Sequence, residues 1–106
     1  MKQCTTKIRS VYEELGYPDA EAMAVKARLV VEIADLIKRR GLTQTEAAAL
    51  LEVPQPKLSG ILRGQFRGIS ERKLMDCLTR LGQDVQIVVK PTPRSRSVGK
   101  VSVAIG

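Results

Sequence analysis

The sequence predicts a mainly α fold, a bundle of five or nearly five helices plus a short C-terminal β-strand or hairpin used in dimerisation. Three observations predict it. Apolar residues recur at spacings of three and four through most of residues 19–82. Each such run is bounded by a glycine or a proline-containing turn: Gly16-Tyr17-Pro18, Gly41, Glu52-Val53-Pro54, Gly64 and Gly82. The pattern then changes to alternation after Asp84. A chain of 106 residues with 43% hydrophobic content suits one ordinary globular domain. A domain of this size buries a modest share of its surface, which makes association of two copies worth expecting.

Residues 1–18 read as an N-terminal extension, with one helical turn over Val11–Leu15 capped by Ser10. The long helix spans Asp19–Arg40. Asp19 is its N-cap, and Glu21 suits the positive end of the helix dipole. Met23, Ala27, Val30, Ala34 and Ile37 form one apolar stripe that Ile33 widens. Lys38, Arg39 and Arg40 favour the negative end, and Gly41 supplies the left-handed stop.

Thr43 and Glu46 form an S/T-x-x-E capping box, which starts a helix running to Leu51. Its inner face is Ala47, Ala48 and Leu51. The turn is Glu52-Val53-Pro54. A second short helix covers Gln55–Leu62, with Pro56 tolerated in its first turn and Leu58, Ile61 and Leu62 facing inward. Phe66, the only phenylalanine, is expected to plug the bundle. Ser70 caps a last helix to Leu81, with Leu74, Cys77, Leu78 and Leu81 on its apolar face, and Gly82 stops it. Residues 19–82 thus form the main domain. Val85, Ile87 and Val89 alternate as in a strand, as do Val101, Val103 and Ile105. The basic linker 91–100 lies between, so residues 83–106 form a C-terminal unit.

Charge divides the chain. Residues 1–52 hold 8 Lys+Arg against 8 Asp+Glu, whereas residues 53–106 hold 10 against 3, so the second half carries the whole net +7. A clustered positive field attracts polyanions. The chain has no histidine, which removes the commonest general base and the commonest metal ligand. Cys4 and Cys77 stand in no CxxC pair, so no zinc site is expected. Cys77 reads as a small core residue. Glu13-Glu14 are adjacent and exposed rather than an acid pair. No cofactor is implied and no catalytic group stands out, so an enzyme is not expected. No apolar run is long enough to span a bilayer, and the unpaired cysteines suit a reducing cytoplasm. Scarce aromatics argue against a stacking platform for single strands.

The stretch Leu42–Arg63 has the plan of a helix-turn-helix. Its two short helices must cross closely, which Ala48 permits, and Leu51, Val53, Leu58 and Ile61 lock the crossing from within. The second helix can then enter a major groove. Leu42-Thr43-Gln44, Ala47-Ala48, Leu51, Val53, Gln55, Leu58-Ser59, Ile61 and Arg63-Gly64 resemble the XRE family, the Cro and phage-repressor type, over roughly residues 30–81. Two positions depart from the family pattern. Glu52 stands where glycine is usual and must turn left-handed, and Pro54 stands where Ser, Thr or Asp usually caps. The flanks Tyr12–Ala20, Arg63–Gly68 and Leu81–Val85 look like HigA-type antitoxins of toxin–antitoxin pairs. That resemblance implies a homodimeric repressor that reads a palindromic operator in double-stranded DNA through the helix around 55–63. It also implies a small RNA-cleaving toxin as a second partner. The alternative is a protein-binding module, toxin-neutralising or scaffolding, that keeps the bundle without reading DNA.

The expected contacts follow. By resemblance Gln44 binds a phosphate at a helix N-terminus, where free backbone donors favour an anion. Gln55 pairs with adenine, and Lys57 with guanine or a phosphate. Ser59 contacts base or backbone, and Gly60, on the exposed face, allows close approach. Arg63, Arg67 and Arg72 bind phosphates. Arg94, Arg96 and Lys100 solvate the linker.

Overall fold

A computed structural model of the chain describes residues 20–106. Among them are four helices: α1 (Ala20–Arg39), α2 (Gln44–Leu51), α3 (Gln55–Leu62) and α4 (Glu71–Arg80). The expected helical turn over Val11–Leu15 and the Asp19 cap lie outside the described residues. The expectation of a five-helix bundle is therefore corrected to four helices among the described residues.

α1 is the backbone of the bundle. It packs most extensively on α4 and also meets α3, while α2 packs on α3 and α4. Its buried side is wider than the sequence stripe. Leu29 and Leu36 are buried beside Met23, Val30, Ile33 and Ile37, whereas Ala27 and Ala34 are only half-buried. A helix covered by more than one neighbour buries more than a single stripe. The fully enclosed centre is Ile33, Leu51, Leu58 and Leu74, one residue from each helix. Phe66 closes the core from the loop between α3 and α4, and Cys77 is buried against it from α4, both as the sequence predicts.

The helix starts obey local chemistry. Thr43 N–H donates to Glu46 Oε1 (2.8 Å) and Glu46 N–H to Thr43 Oγ1 (3.1 Å), completing the capping box. Lys73 N–H donates to Ser70 Oγ at 3.1 Å, which caps α4. The stops share one motif, a left-handed residue with two backbone hydrogen bonds returning to the last turn. Gly41, Gly64 and Gly82 serve α1, α3 and α4, and Glu52 serves α2 with φ 57° and ψ 46°.

No strand forms among residues 83–106, which corrects the expected C-terminal strand or hairpin. Alternation makes a strand only when another strand satisfies its backbone groups. Here the two alternating segments do not pair. Val85 and Val103 lodge half-buried against the bundle, while Ile87, Val88 and Val89 stay 80%, 76% and 91% exposed. Alternation at 85 and 103 thus marks anchor points of an irregular segment. No described helix is long and apolar enough to cross a membrane.

Candidate nucleic-acid interface

The two short helices α2 and α3 are joined by a turn that resolves both departures noted in the sequence. Glu52 adopts the left-handed conformation usually given to glycine. Its N–H reaches Ala49 O at 3.3 Å, and Val53 N–H reaches Ala48 O at 3.0 Å, so α2 ends with satisfied carbonyls. The Glu52 carboxylate is held by Arg80 Nη1 of α4 at 3.1 Å. Pro54 sits at the N-cap of α3 with φ −55° and makes no side-chain cap. Its carbonyl accepts from Leu58 N–H at 3.0 Å, and its ring supplies a fixed φ suited to a helix start. Val53, buried, pins the turn to the core.

That turn sets the first residues of both helices side by side. Gln55 Nε2 donates to Gln44 Oε1 at 3.1 Å, and both side chains are exposed. Gln44 stands at the N-terminus of α2, where backbone donors are free for an anion. The pair keeps amide donors and an acceptor beyond this bond, which an exposed position leaves available to a nucleic-acid edge or a phosphate.

The electrostatics around α3 are one-signed. From Val53 to Ser70 the chain has no acidic residue and three basic ones, Lys57, Arg63 and Arg67. All three are exposed. Three carboxylates of α1 and α4 are engaged with cations of their own helices. Glu32 and Asp35 hold Arg39, while Asp76 holds Arg80 and Lys73. The hydrogen bond from Arg80, with Arg80 and Lys73 charge nearby, keeps the Asp76 carboxyl below its ordinary value. The same hydrogen bond, together with Glu52, raises the Arg80 guanidinium. Burial raises the Cys77 thiol and keeps it neutral. Among the described residues no cluster of metal-binding side chains occurs.

The expected contact residues are not all gathered alike. Gln44 and Gln55 touch, and Lys57, Arg63 and Arg67 surround the same helix and its following loop. Ser59 is half-buried on α3. Gly60 is buried rather than exposed, because Gln65 folds over it. Arg72 is exposed but lies along α4, where it lines a shallow cleft with Met75, Asp76, Thr79, Val85 and Ile87.

Two positions escaped the reading of the sequence. Lys26 Nζ of α1 donates to the Arg67 carbonyl at 2.7 Å and ties the basic loop to the long helix. Its contact is 41 residues away, and no local pattern announces it. Gln65 follows the stop glycine of α3, and only its place in the helix-stop motif marks it as a covering residue.

Comparison with known proteins agrees with this geometry. Residues 11–90 match the family model described as "Helix-turn-helix domain". A solved structure named "Putative XRE Family Transcriptional Regulator" is 40% identical and superposes with a TM-score of 0.78, covering 84% of this chain and 100% of its own. No curated protein matches. With most of its length inside the family model and a full-length structural relative of this kind, the chain belongs to the helix-turn-helix domain family of XRE type.

Proposed function

We propose that the protein is a DNA-binding transcriptional repressor that reads a palindromic operator as a homodimer through α3. The observation that carries this reading is the Gln44–Gln55 hydrogen bond at 3.1 Å. It joins the amide proposed for a phosphate to the amide proposed for a base, and the stretch 53–70 that contains α3 carries only positive charges. Gln55 reads an adenine edge, and Lys57 and Ser59 extend the contact along α3. Arg63 and Arg67 bind phosphates beside them, and Arg72 adds one farther along the backbone. Gly60 serves by leaving room beside the helix rather than by direct approach. The family relationship and the name of the solved relative support DNA-dependent regulation. The flanking resemblance to HigA-type antitoxins supports a second role, silencing an RNA-cleaving toxin.

The test begins with selection of duplexes from a random library. A two-fold symmetric consensus should emerge, with half-sites about 34–36 Å apart or a multiple of that. Cutting the duplex to one half-site should cost most of the affinity. Selection of no consensus, with uniformly weak binding to every duplex, overturns the reading. Tight, salt-insensitive capture of a co-expressed protein by a chain that binds no duplex at low salt favours the protein-binding module instead.

A further inference from the structure

The outward face of α3 has an unusual centre. At about 100° per residue, Gly60 lies roughly opposite the inward edge formed by Leu58, Ile61 and Leu62. A side chain at this position would face any groove that α3 enters. Glycine is the least favourable helix-interior residue after proline, so its presence here asks for a cause.

The cause visible in the structure is Gln65. α3 ends with Gln65 N–H donating to Gly60 O at 2.8 Å and Gly64 N–H to Ile61 O at 3.0 Å, with Gly64 at φ +103°. The two residues bridged by the longer loop of this motif commonly make an apolar contact. Here they are a glycine and a carboxamide. A Cβ on Gly60 would stand 3.1 Å from Gln65 Oε1 and 3.8 Å from Gln65 Cβ. The Gln65 side chain therefore lies in tight contact with the position that a side chain at residue 60 would take. Gly60 is buried beneath it, while Gln65 itself remains exposed. The Gln65 amide thus lies over α3 at Gly60, on the same end of the helix as the exposed Arg63.

We propose that Gln65 is a second base-reading amide, directed at a purine edge in the major groove, and that Gly60 is the vacancy that lets it lie along α3. A carboxamide offers one donor and one acceptor at the spacing of the adenine edge. The inference rests on the proposal that α3 reads DNA, and it deepens that proposal by naming a specificity residue outside the helix. Gly60 and Gln65 form one unit. An alanine at 60 puts its methyl 3.1 Å from the Gln65 amide oxygen, so the flexible end of that side chain must give by a few tenths of an ångström and its amide is re-aimed.

The experiment repeats duplex selection with the wild type, Gln55→Ala, Gln65→Ala and Gly60→Ala, together with affinities for the selected and random duplexes and thermal unfolding. Gln65→Ala should lower the ratio of specific to random affinity about tenfold. One position in each half-site should lose its preference, while random-duplex affinity and melting temperature stay as in the wild type. Gly60→Ala should weaken the preference at the same position with an equal or higher melting temperature, and a variant combining Gly60→Ala with Gln65→Ala should lose no more than Gln65→Ala alone. Equal losses on specific and random duplexes, or an unchanged ratio for Gln65→Ala while Gln55→Ala loses it, overturn the role of Gln65 alone. A Gly60→Ala variant that keeps the wild-type ratio overturns the role of Gly60. A wild type that selects no sequence overturns the DNA-reading proposal and this inference with it.

Discussion

Gln55 Nε2 donates a 3.1 Å hydrogen bond to Gln44 Oε1, joining the first residue of α3 to the first residue of α2. The bond restricts the rotamers of an exposed glutamine before any ligand arrives, which lowers the entropy cost of binding one. Gln55→Ala should cost about 1–3 kcal/mol on a selected duplex and much less on a random one. Gln44→Ala should weaken both and also loosen the Gln55 preference. A double-mutant cycle measured by titration should then show coupling of roughly 0.5–1.5 kcal/mol. Strict additivity would mean that the pair does not act together on DNA.

Arg63 is exposed at the end of α3 and carries no ion pair to a described carboxylate. As a phosphate contact it should act without regard to sequence. Arg63→Ala should lower affinity for selected and random duplexes alike and reduce the slope of log K against log salt by about one unit. A loss confined to the selected duplex would make Arg63 a base reader instead.

Glu52 sits in a conformation that costs an L-residue roughly 1–2 kcal/mol, in a place where the other three helices use glycine. Its ion pair with Arg80 is largely exposed, the Glu52 side chain being 68% accessible, and is screened by solvent, so it contributes little. The strain therefore outweighs the bridge. Glu52→Gly should stabilise the domain by about 0.5–1 kcal/mol and raise the melting temperature by several degrees. A lower melting temperature would show that the bridge is the larger effect.

Asp76 accepts from Arg80 Nε at 3.0 Å, and that bond holds its carboxyl below the ordinary value. A folded-state value below the unfolded one gives stability that is present above about pH 4 and is lost as pH falls through the folded value. Asp76→Asn should therefore melt below the wild type at neutral pH, and the difference should vanish on acidification. It should also shrink with added salt, because the group is exposed. A difference that persists unchanged in acid, once the carboxyl is protonated in both states, would place the effect in packing rather than charge.

Much of the fold was legible because its signals are local. The capping box of Thr43 and Glu46 needs four consecutive residues, and Gly41, Gly64 and Gly82 stop their helices by backbone geometry alone. The left-handed Glu52 was legible for the same reason. The alternation at Val85–Val89 misled because a strand is not a local object. Its hydrogen bonds need a second strand, and the alternating side chains instead found anchor points on the bundle. Of the candidate site, Gln55 was legible from its place at the start of α3, but Gln65 was not, since its position over Gly60 depends on how the chain leaves the helix.

By itself the sequence determined the helices, their caps and stops, the identity of the motif and the charge that gathers after Val53. Each is set within one turn of helix or by composition. Only the tertiary structure decided that Gln44 meets Gln55, that Lys26 holds the Arg67 carbonyl, that Arg80 holds Glu52, and that the C-terminal segment forms no strand. These depend on how α1 and α4 pack around the α2–α3 crossing. Packing balances buried area against unsatisfied backbone over the whole chain, and no short stretch of sequence contains that balance.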